Sequence, residues 1–229
     1  MAYRTVLFDL DHTLLDSDTS MKLAFDHTLK SAGIAPKSDH FPIYDRINQG
    51  MWAAVERGET SPNAVKVARW EQFALELGAV VDPLDLAATF VEGLSQFGEL
   101  YDGARALLDD VRERATLGLV TNGLSEVQRA RIERLELGHY FSSIAISGEL
   151  GVAKPDNAFL DVVFAELSQP ERSTTVIVGD SLTSDMAAGH NYGISTCWYN
   201  PEGKPPPDQP PTYEASDFDE IRSHLFADA

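Results

Sequence analysis

The residues best suited to chemistry lie near the start of the chain. Val6, Leu7 and Phe8 run into two aspartates spaced one apart, Asp9 and Asp11, with Leu10 between them and His12 and Thr13 behind. Three strand-forming apolar residues predict a buried strand whose carboxyl end carries two carboxylates and a hydroxyl. Such a cluster makes a poor core and a good place to hold a cation beside a nucleophile. In open α/β sheets, ligands sit at the carboxyl ends of the strands.

Three further fragments have the same character. Thr121-Asn122-Gly123 closes the apolar run from Leu117 to Val120, and Lys154-Pro155 opens a helix-like stretch. Gly179-Asp180-Ser181, with Ser184 and Asp185 close behind, closes the run from Val176 to Val178. Taken singly, each has an ordinary structural reading. Asp9 could cap a strand, Asp180 could be a loop acid, and Lys154 could be a solvated lysine. Thr121 to Gly123 could be a turn, because Asn-Gly is turn chemistry. Their common placement at strand ends and helix starts favours one site over four accidents. His12 is expected in a supporting or exposed position, His190 exposed on a surface helix, and Ser181 and Ser184 as helix-start residues. Trp52 and Trp70 are expected to pack between helices, with Trp52 a candidate to line a pocket.

These fragments need elements to position them. Strand-like segments run from Thr5 to Asp9, Leu117 to Thr121, Ser143 to Ile146, Thr175 to Gly179 and Ser195 to Trp198. Helix-like stretches separate the later ones: Gly103 to Arg114, Ser125 to Glu136, Pro155 to Leu167 and Ser184 to Tyr192. This alternation predicts an α/β fold, a parallel sheet with right-handed crossovers. The stretch from Asp16 to Gly98 breaks it. Ser61-Pro62 places a capping residue before a proline suited to a first helical turn, and Pro83 could open another helix running to Phe97. About four helices are expected there, as a small domain inserted between the first two strands, with hinges at Leu15 to Ser17 and Gly98 to Tyr101. The domains are then 1–15 with 99–229, and 16–98. Proline-rich Lys204 to Pro211 reads as a stiff connector to a terminal helix from Asp217 to Phe226.

Composition narrows the function classes. The chain has 229 residues, 43% hydrophobic, a single cysteine and a formal net charge of −18. A real core is available, and one cysteine excludes an internal disulfide and a multi-cysteine zinc site. Cys197 lies in an apolar stretch and reads as a buried structural thiol. No basic stripe exists to release counterions from a nucleic-acid polymer. No apolar run approaches the roughly 18 residues of a membrane span. Met1 to Arg4 leads directly into a strand without a signal-peptide pattern, so a soluble cytoplasmic protein is expected. A small phosphorylated substrate is compatible with the acidic balance if a metal and a lysine reverse the local field.

In order and spacing, the four fragments resemble the four motifs of the haloacid dehalogenase superfamily, in its phosphatase branch. The resemblance extends over nearly the whole chain. It implies a doubly wound, Rossmann-like parallel sheet, and an inserted α-helical cap of the family's first type. It implies Asp9 as a nucleophile that forms an aspartyl-phosphate. Asp11 would protonate the leaving alkoxide and then deprotonate water. That role calls for a raised pKa, which the charge on Asp9 would help produce. The Thr121 hydroxyl, the Asn122 backbone N–H and the Lys154 ammonium would cradle the phosphoryl group. Mg²⁺ suits the hard oxygen donors. The resemblance assigns it to Asp9, the Asp11 carbonyl and Asp180, with Asp185 behind them orienting a metal-bound water. Thr13 is expected to tighten the turn after Asp11.

Dehalogenases of the superfamily attack carbon without Mg²⁺ and lack an acid at the position of Asp11, so phosphoryl transfer is expected. The Gly179 to Asp185 and Gly189 to Gly193 stretches and the helical insert are similar to bacterial pyrimidine 5′-nucleotidases. Pyrimidine nucleoside monophosphates are therefore the first expected substrates, with phosphoglycolate or a sugar phosphate as the alternative. A mutase would use the same site. A binding protein on the same fold would not need every one of these positions filled.

Overall fold

The computed structural model describes residues 3–205 and 207–226. Met1 and Ala2 of the N-terminal run, and Pro206 of the proline-rich connector, lie outside them.

The centre is one six-stranded sheet, parallel throughout: β1 (Thr5–Phe8), β2 (Thr116–Thr121), β3 (Ser143–Ile146), β4 (Thr175–Gly179), β5 (Ser195–Tyr199) and β6 (Tyr213–Ala215). The order across the sheet is β3-β2-β1-β4-β5-β6. The chain therefore winds outward from β1 in one direction, returns, and winds outward in the other. Strand β1 is buried on both faces, which is why it reads as an unbroken apolar run. Val6 and Phe8 join a cluster with residues of α5 (Ala104–Arg112) and α10 (Phe218–Phe226). Leu7 joins the opposite cluster, with Phe159 and Val163 of α8 (Asn157–Glu166) and Tyr192 of α9 (Ala187–Tyr192). Alternate side chains of one strand thus hold both helical layers.

Five expected strands match observed ones to within a residue. The sixth, β6, was not expected. It has three residues, and only Ala215 is buried. The expected helix from Pro155 begins instead at Asn157, because the Asp156 side chain accepts from the Ala158 N–H at 2.9 Å and caps it there. The expected helix from Ser184 is two pieces. Residues Leu182–Met186 form one wide turn, in which the Asp185 and Met186 N–H groups both donate to the Ser181 carbonyl, before α9 begins. Cys197 is buried as expected, and burial pushes its thiol up to about 12.

Between β1 and β2 lie four helices: α1 (Ser17–Ser31), α2 (His40–Glu56), α3 (Pro62–Leu77) and α4 (Pro83–Gln96). Each of α1, α3 and α4 starts where the residue before it accepts a backbone N–H: Asp16 from Thr19, Ser61 from Ala64, Asp82 from Leu84. They pack around their own aromatic cluster of Phe25, Tyr44, Trp70, Phe73 and Phe90. The two crossing segments pair with each other. The Asp16 N–H donates to the Glu99 carbonyl at 3.0 Å, and the Tyr101 N–H to the Leu14 carbonyl at 2.9 Å. The remaining helices, α6 (Ser125–Arg134) and the short α7 (Ser147–Leu150), follow β2 and β3. Helix α6 packs directly on α4 of the insert.

Candidate active site

Strands β1, β2 and β4 are adjacent, so their carboxyl ends bring Asp9, Thr121 and Asp180 to one edge. That edge lies where the winding direction reverses, the crevice in which open α/β sheets bind ligands. The Asp9 N–H extends the ladder by one bond, donating to the Val178 carbonyl at 2.9 Å. The chain then turns sharply, with the Leu14 and Leu15 N–H groups both donating to the Leu10 carbonyl.

Lys154 is the hub. It is 1% exposed, and its ammonium donates to Asp9 Oδ1 at 2.7 Å, Asp185 Oδ1 at 2.6 Å and the Val120 carbonyl at 2.7 Å. Three donors meet three acceptors. Burial alone would lower its pKa. The Asp185 and Asp9 carboxylates outweigh burial and keep it protonated. Its backbone is clamped by Asn122, whose side-chain carbonyl accepts from the Lys154 N–H and whose amide donates to the Lys154 carbonyl, both at 2.9 Å. The same amide reaches Ser184 Oγ at 3.2 Å. Asn122 therefore braces Lys154 with its side chain, a task the sequence reading did not give it.

Asp185 sits on the wide turn after β4. Its second oxygen accepts from the Ser181 N–H at 3.1 Å. Gly179 makes room for it, since a Cβ on Gly179 would fall on the Asp185 carboxylate. Thr13 is fully buried. Its hydroxyl reaches Asp180 Oδ1 at 3.5 Å, so it touches the site where a bond within the turn was expected.

Asp9, Asp180 and Asp185 each place a carboxylate oxygen within 4.8 Å of the others. With Lys154 this gives three negative charges against one positive. The strain is visible in the carboxyl groups. Burial raises Asp9 well above the usual range; Lys154 opposes this, and the charges on Asp185, Asp180 and Asp11 add to it. Burial and the Asp185 charge raise Asp180 to about 6. Hard oxygen donors with uncompensated charge fit a divalent cation of the Mg²⁺ type.

Asp11 corrects an expectation. Its carboxylate does not face Asp9 with a raised pKa. It accepts from Arg131 Nη1 at 2.7 Å, Ser17 Oγ at 2.5 Å and Gln128 Nε2 at 2.5 Å. Burial alone would raise the group, but the Arg131 guanidinium, with Ser17, His12 and Gln128, holds it below the ordinary value. Gln128 also donates to Thr121 Oγ1 at 2.7 Å, so one amide side chain links Asp11 to Thr121. Arg131 reaches into the insert as well, donating to the Leu94 carbonyl at 2.9 Å and Ser20 Oγ at 2.8 Å.

Gln128 and Arg131 were missed in the sequence. Their signal is weak: two polar residues sharing the buried stripe of α6 with Val127 and Ile132. His12 is half-buried beside the site, 3.7 Å from Asp18. His190, expected to be exposed, is half-buried instead, in the last turn of α9, and does not line the cavity. Trp70 lies in the aromatic cluster of the insert as expected. Trp52 is half-buried and lines a cavity of about 310 Å³ between the insert and the sheet edge. Asp9, Asp180 and Asp185 form its floor. Arg69 and Phe90 of the insert also line it.

A doubly wound sheet, a helical insert after the first strand and an acidic cluster around a buried lysine define a class. Residues 6–199 match the model of the haloacid dehalogenase-like hydrolases, and the chain belongs to that family. It is 34% identical to the pyrimidine 5′-nucleotidase PynA of Streptococcus pneumoniae, over 96% of this chain and 94% of that protein. It is 31% identical to the pyrimidine 5′-nucleotidase YjjG of Escherichia coli, over 98% and 99%. The crystal structure of the HAD-hydrolase YfnB of Bacillus subtilis, solved bound to magnesium and described as showing interdomain movement, superposes with a TM-score of 0.90 at 34% identity, covering 98% of this chain and 99% of that one. No described helix is long and apolar enough to cross a membrane.

Proposed function

We propose that the protein is a Mg²⁺-dependent phosphomonoesterase that hydrolyses pyrimidine nucleoside 5′-monophosphates through an aspartyl-phosphate on Asp9. One observation carries the reading. The Asp9 carboxylate lies at the floor of the cavity, held by a fully engaged Lys154 and grouped with Asp180 and Asp185. The relatives named as pyrimidine 5′-nucleotidases supply the substrate class.

In the first half-reaction an Asp9 oxygen attacks phosphorus, and the bond from phosphorus to the leaving oxygen breaks. The nucleoside leaves with a proton from Asp11. In the second, water attacks the acyl-phosphate and gives its proton to Asp11, releasing phosphate and restoring Asp9. The Thr121 hydroxyl and the Asn122 N–H donate to the phosphoryl oxygens, and Lys154 offsets their charge. Asp9, the Asp11 carbonyl and Asp180 would hold Mg²⁺, with Asp185 behind them. The ion supplies charge neutralisation at the phosphoryl oxygens.

Asp11, ionised beside Arg131, must leave it and take a proton from water before it can give one to the leaving oxygen. Because Arg131 also grips Ser20 and Leu94, that release is coupled to a shift of the insert. Residues 16–98 then act as a cap domain on a core of 1–15 and 99–229, turning on the paired crossing segments. The interdomain movement described for YfnB supports this division.

Asp9→Asn in purified protein with Mg²⁺ should lose at least about 10⁴-fold in turnover of p-nitrophenyl phosphate while keeping its fold. EDTA should silence the wild type. Retained turnover in the variant excludes Asp9 as nucleophile. A panel of phosphate esters compared by kcat/KM tests the substrate class, and equal rates across it would remove the nucleotide assignment.

A further inference from the structure

Arg69, on α3 of the insert, is 3% exposed and lines the cavity above the acidic floor. Its guanidinium makes one hydrogen bond among the described residues, from Nη1 to Asn48 Oδ1 at 3.0 Å. Nε and Nη2 are buried without any partner. One face of the guanidinium stacks on the Phe90 ring, 4.7 Å from its centroid. No described carboxylate pairs with it. Arg131, equally buried and lining the same cavity, has its donors satisfied: Nε, Nη1 and Nη2 all have acceptors.

A buried guanidinium with two idle donors is a poor structural element, because unpaired buried donors are costly. Arg cannot escape the cost by losing its proton. The arrangement makes sense if acceptors arrive from outside. Apolar side chains share the cavity lining with it, among them Trp52, Phe90, Leu94, Leu124 and Val127. An aromatic ring edged with oxygen atoms suits both features, one by stacking and the other by hydrogen bonding.

We infer that Arg69, oriented by Asn48, reads the leaving group by donating from Nε and Nη2 to its oxygen acceptors. Under the nucleotide reading, on which this rests, the acceptors are carbonyl oxygens of a uracil or thymine ring. Arg69 is then a specificity residue of the insert, separate from the phosphoryl chemistry on the sheet edge.

The test compares UMP with phenyl phosphate, whose leaving group has no carbonyl. In Arg69→Gln, the ratio of kcat/KM for UMP over phenyl phosphate should fall about 30-fold or more, the scale on which a site built for a hydrogen bond discriminates. Uridine should raise the melting temperature of the wild type and leave that of the variant unmoved. A ratio that stays constant, whatever the total loss, overturns the inference. Arg69→Lys keeps the charge without the planar fork, and carries the same test if the glutamine variant does not fold. Should wild type prefer an ester that is not a nucleotide, such as 2-phosphoglycolate, to both UMP and dTMP, the nucleotide reading fails. Arg69 is then judged by that ester's ratio to phenyl phosphate, which must fall in the variant or the inference fails too.

Discussion

Lys154 shows how one side chain can hold a site together by leaving no donor spare. Its ammonium lies between two carboxylates and a main-chain carbonyl, with Asn122 fixing its backbone from both sides. Lys154→Met leaves Asp9 and Asp185 buried beside each other without a cation. Breaking a buried pair in this way costs about 3–5 kcal/mol. Urea unfolding of the metal-free variant should show a loss of that order, and turnover with Mg²⁺ should fall about 10³-fold. Unchanged stability would mean that solvent already screens the pair. Lys154, Asp9, Thr121 and Asp180 were legible because each ends a strand or opens a turn, where a polar residue after apolar ones stands out. The partners of Asp11 were not. Gln128 and Arg131 lie 117 and 120 residues away in sequence, on a helix whose charged residues hide its buried stripe. The expected rise in the Asp11 pKa considered its neighbour in sequence, Asp9. Burial would raise the group further, but the fold supplies Arg131 at 2.7 Å, with Ser17, His12 and Gln128, and together they lower it.

The elements were read more fully than their junctions. Helix α3 announces itself by Ser61-Pro62 and α4 by Pro83, and the apolar strand runs of the sheet have no competing reading. Strand β6 was hidden because three residues, two of them not buried, carry no period to detect. The wide turn at Leu182–Met186 was hidden for another reason. It differs from an α-helical turn only in which N–H groups share the Ser181 carbonyl, and side-chain spacing does not encode that choice. This turn presents Asp185 to Lys154, and Gly179 permits it. The backbone at Gly179 needs no left-handed conformation; space alone demands the glycine, because both Asp185 oxygens are already engaged and the carboxylate cannot retreat. Gly179→Ala should therefore push Asp185 off Lys154. The expected result is a fall in kcat/KM of about 100-fold, the effect of displacing a site group by an ångström, with a destabilisation of about 1–3 kcal/mol. Urea midpoints and steady-state rates measure the two. Near wild-type activity would show that the placement of Asp185 does not govern turnover.

At the scale of the molecule, a formal charge of −18 sits around a site that is itself acidic, so pH and metal must act together. Asp180 is raised to about 6 and Asp9 is raised well above the ordinary carboxylate value. For a raised carboxyl group the folded chain binds the proton more tightly than the unfolded chain. Its stabilising contribution is complete below the unfolded pKa, near 3.8, and is lost as pH rises through the folded value. The metal-free protein should thus lose stability from these groups between about pH 4 and 6, and further above it through Asp9. Asp11, held low by Arg131, acts in the opposite sense: its contribution is present above its unfolded pKa and fades as pH falls toward the folded one. A single melting curve mixes the two effects, but the difference between melts with Mg²⁺ and with EDTA separates them, because a divalent ion competes with protons only at the cluster it occupies. That difference should be small near pH 5 and grow toward pH 7.5. Salt must be matched in every arm, since screening of the bulk charge also stabilises. Asp180→Asn should flatten the profile and shrink the Mg²⁺ effect. A Mg²⁺-induced shift independent of pH in the wild type, or one that survives Asp180→Asn undiminished, would place the ion elsewhere than among Asp9, Asp180 and Asp185.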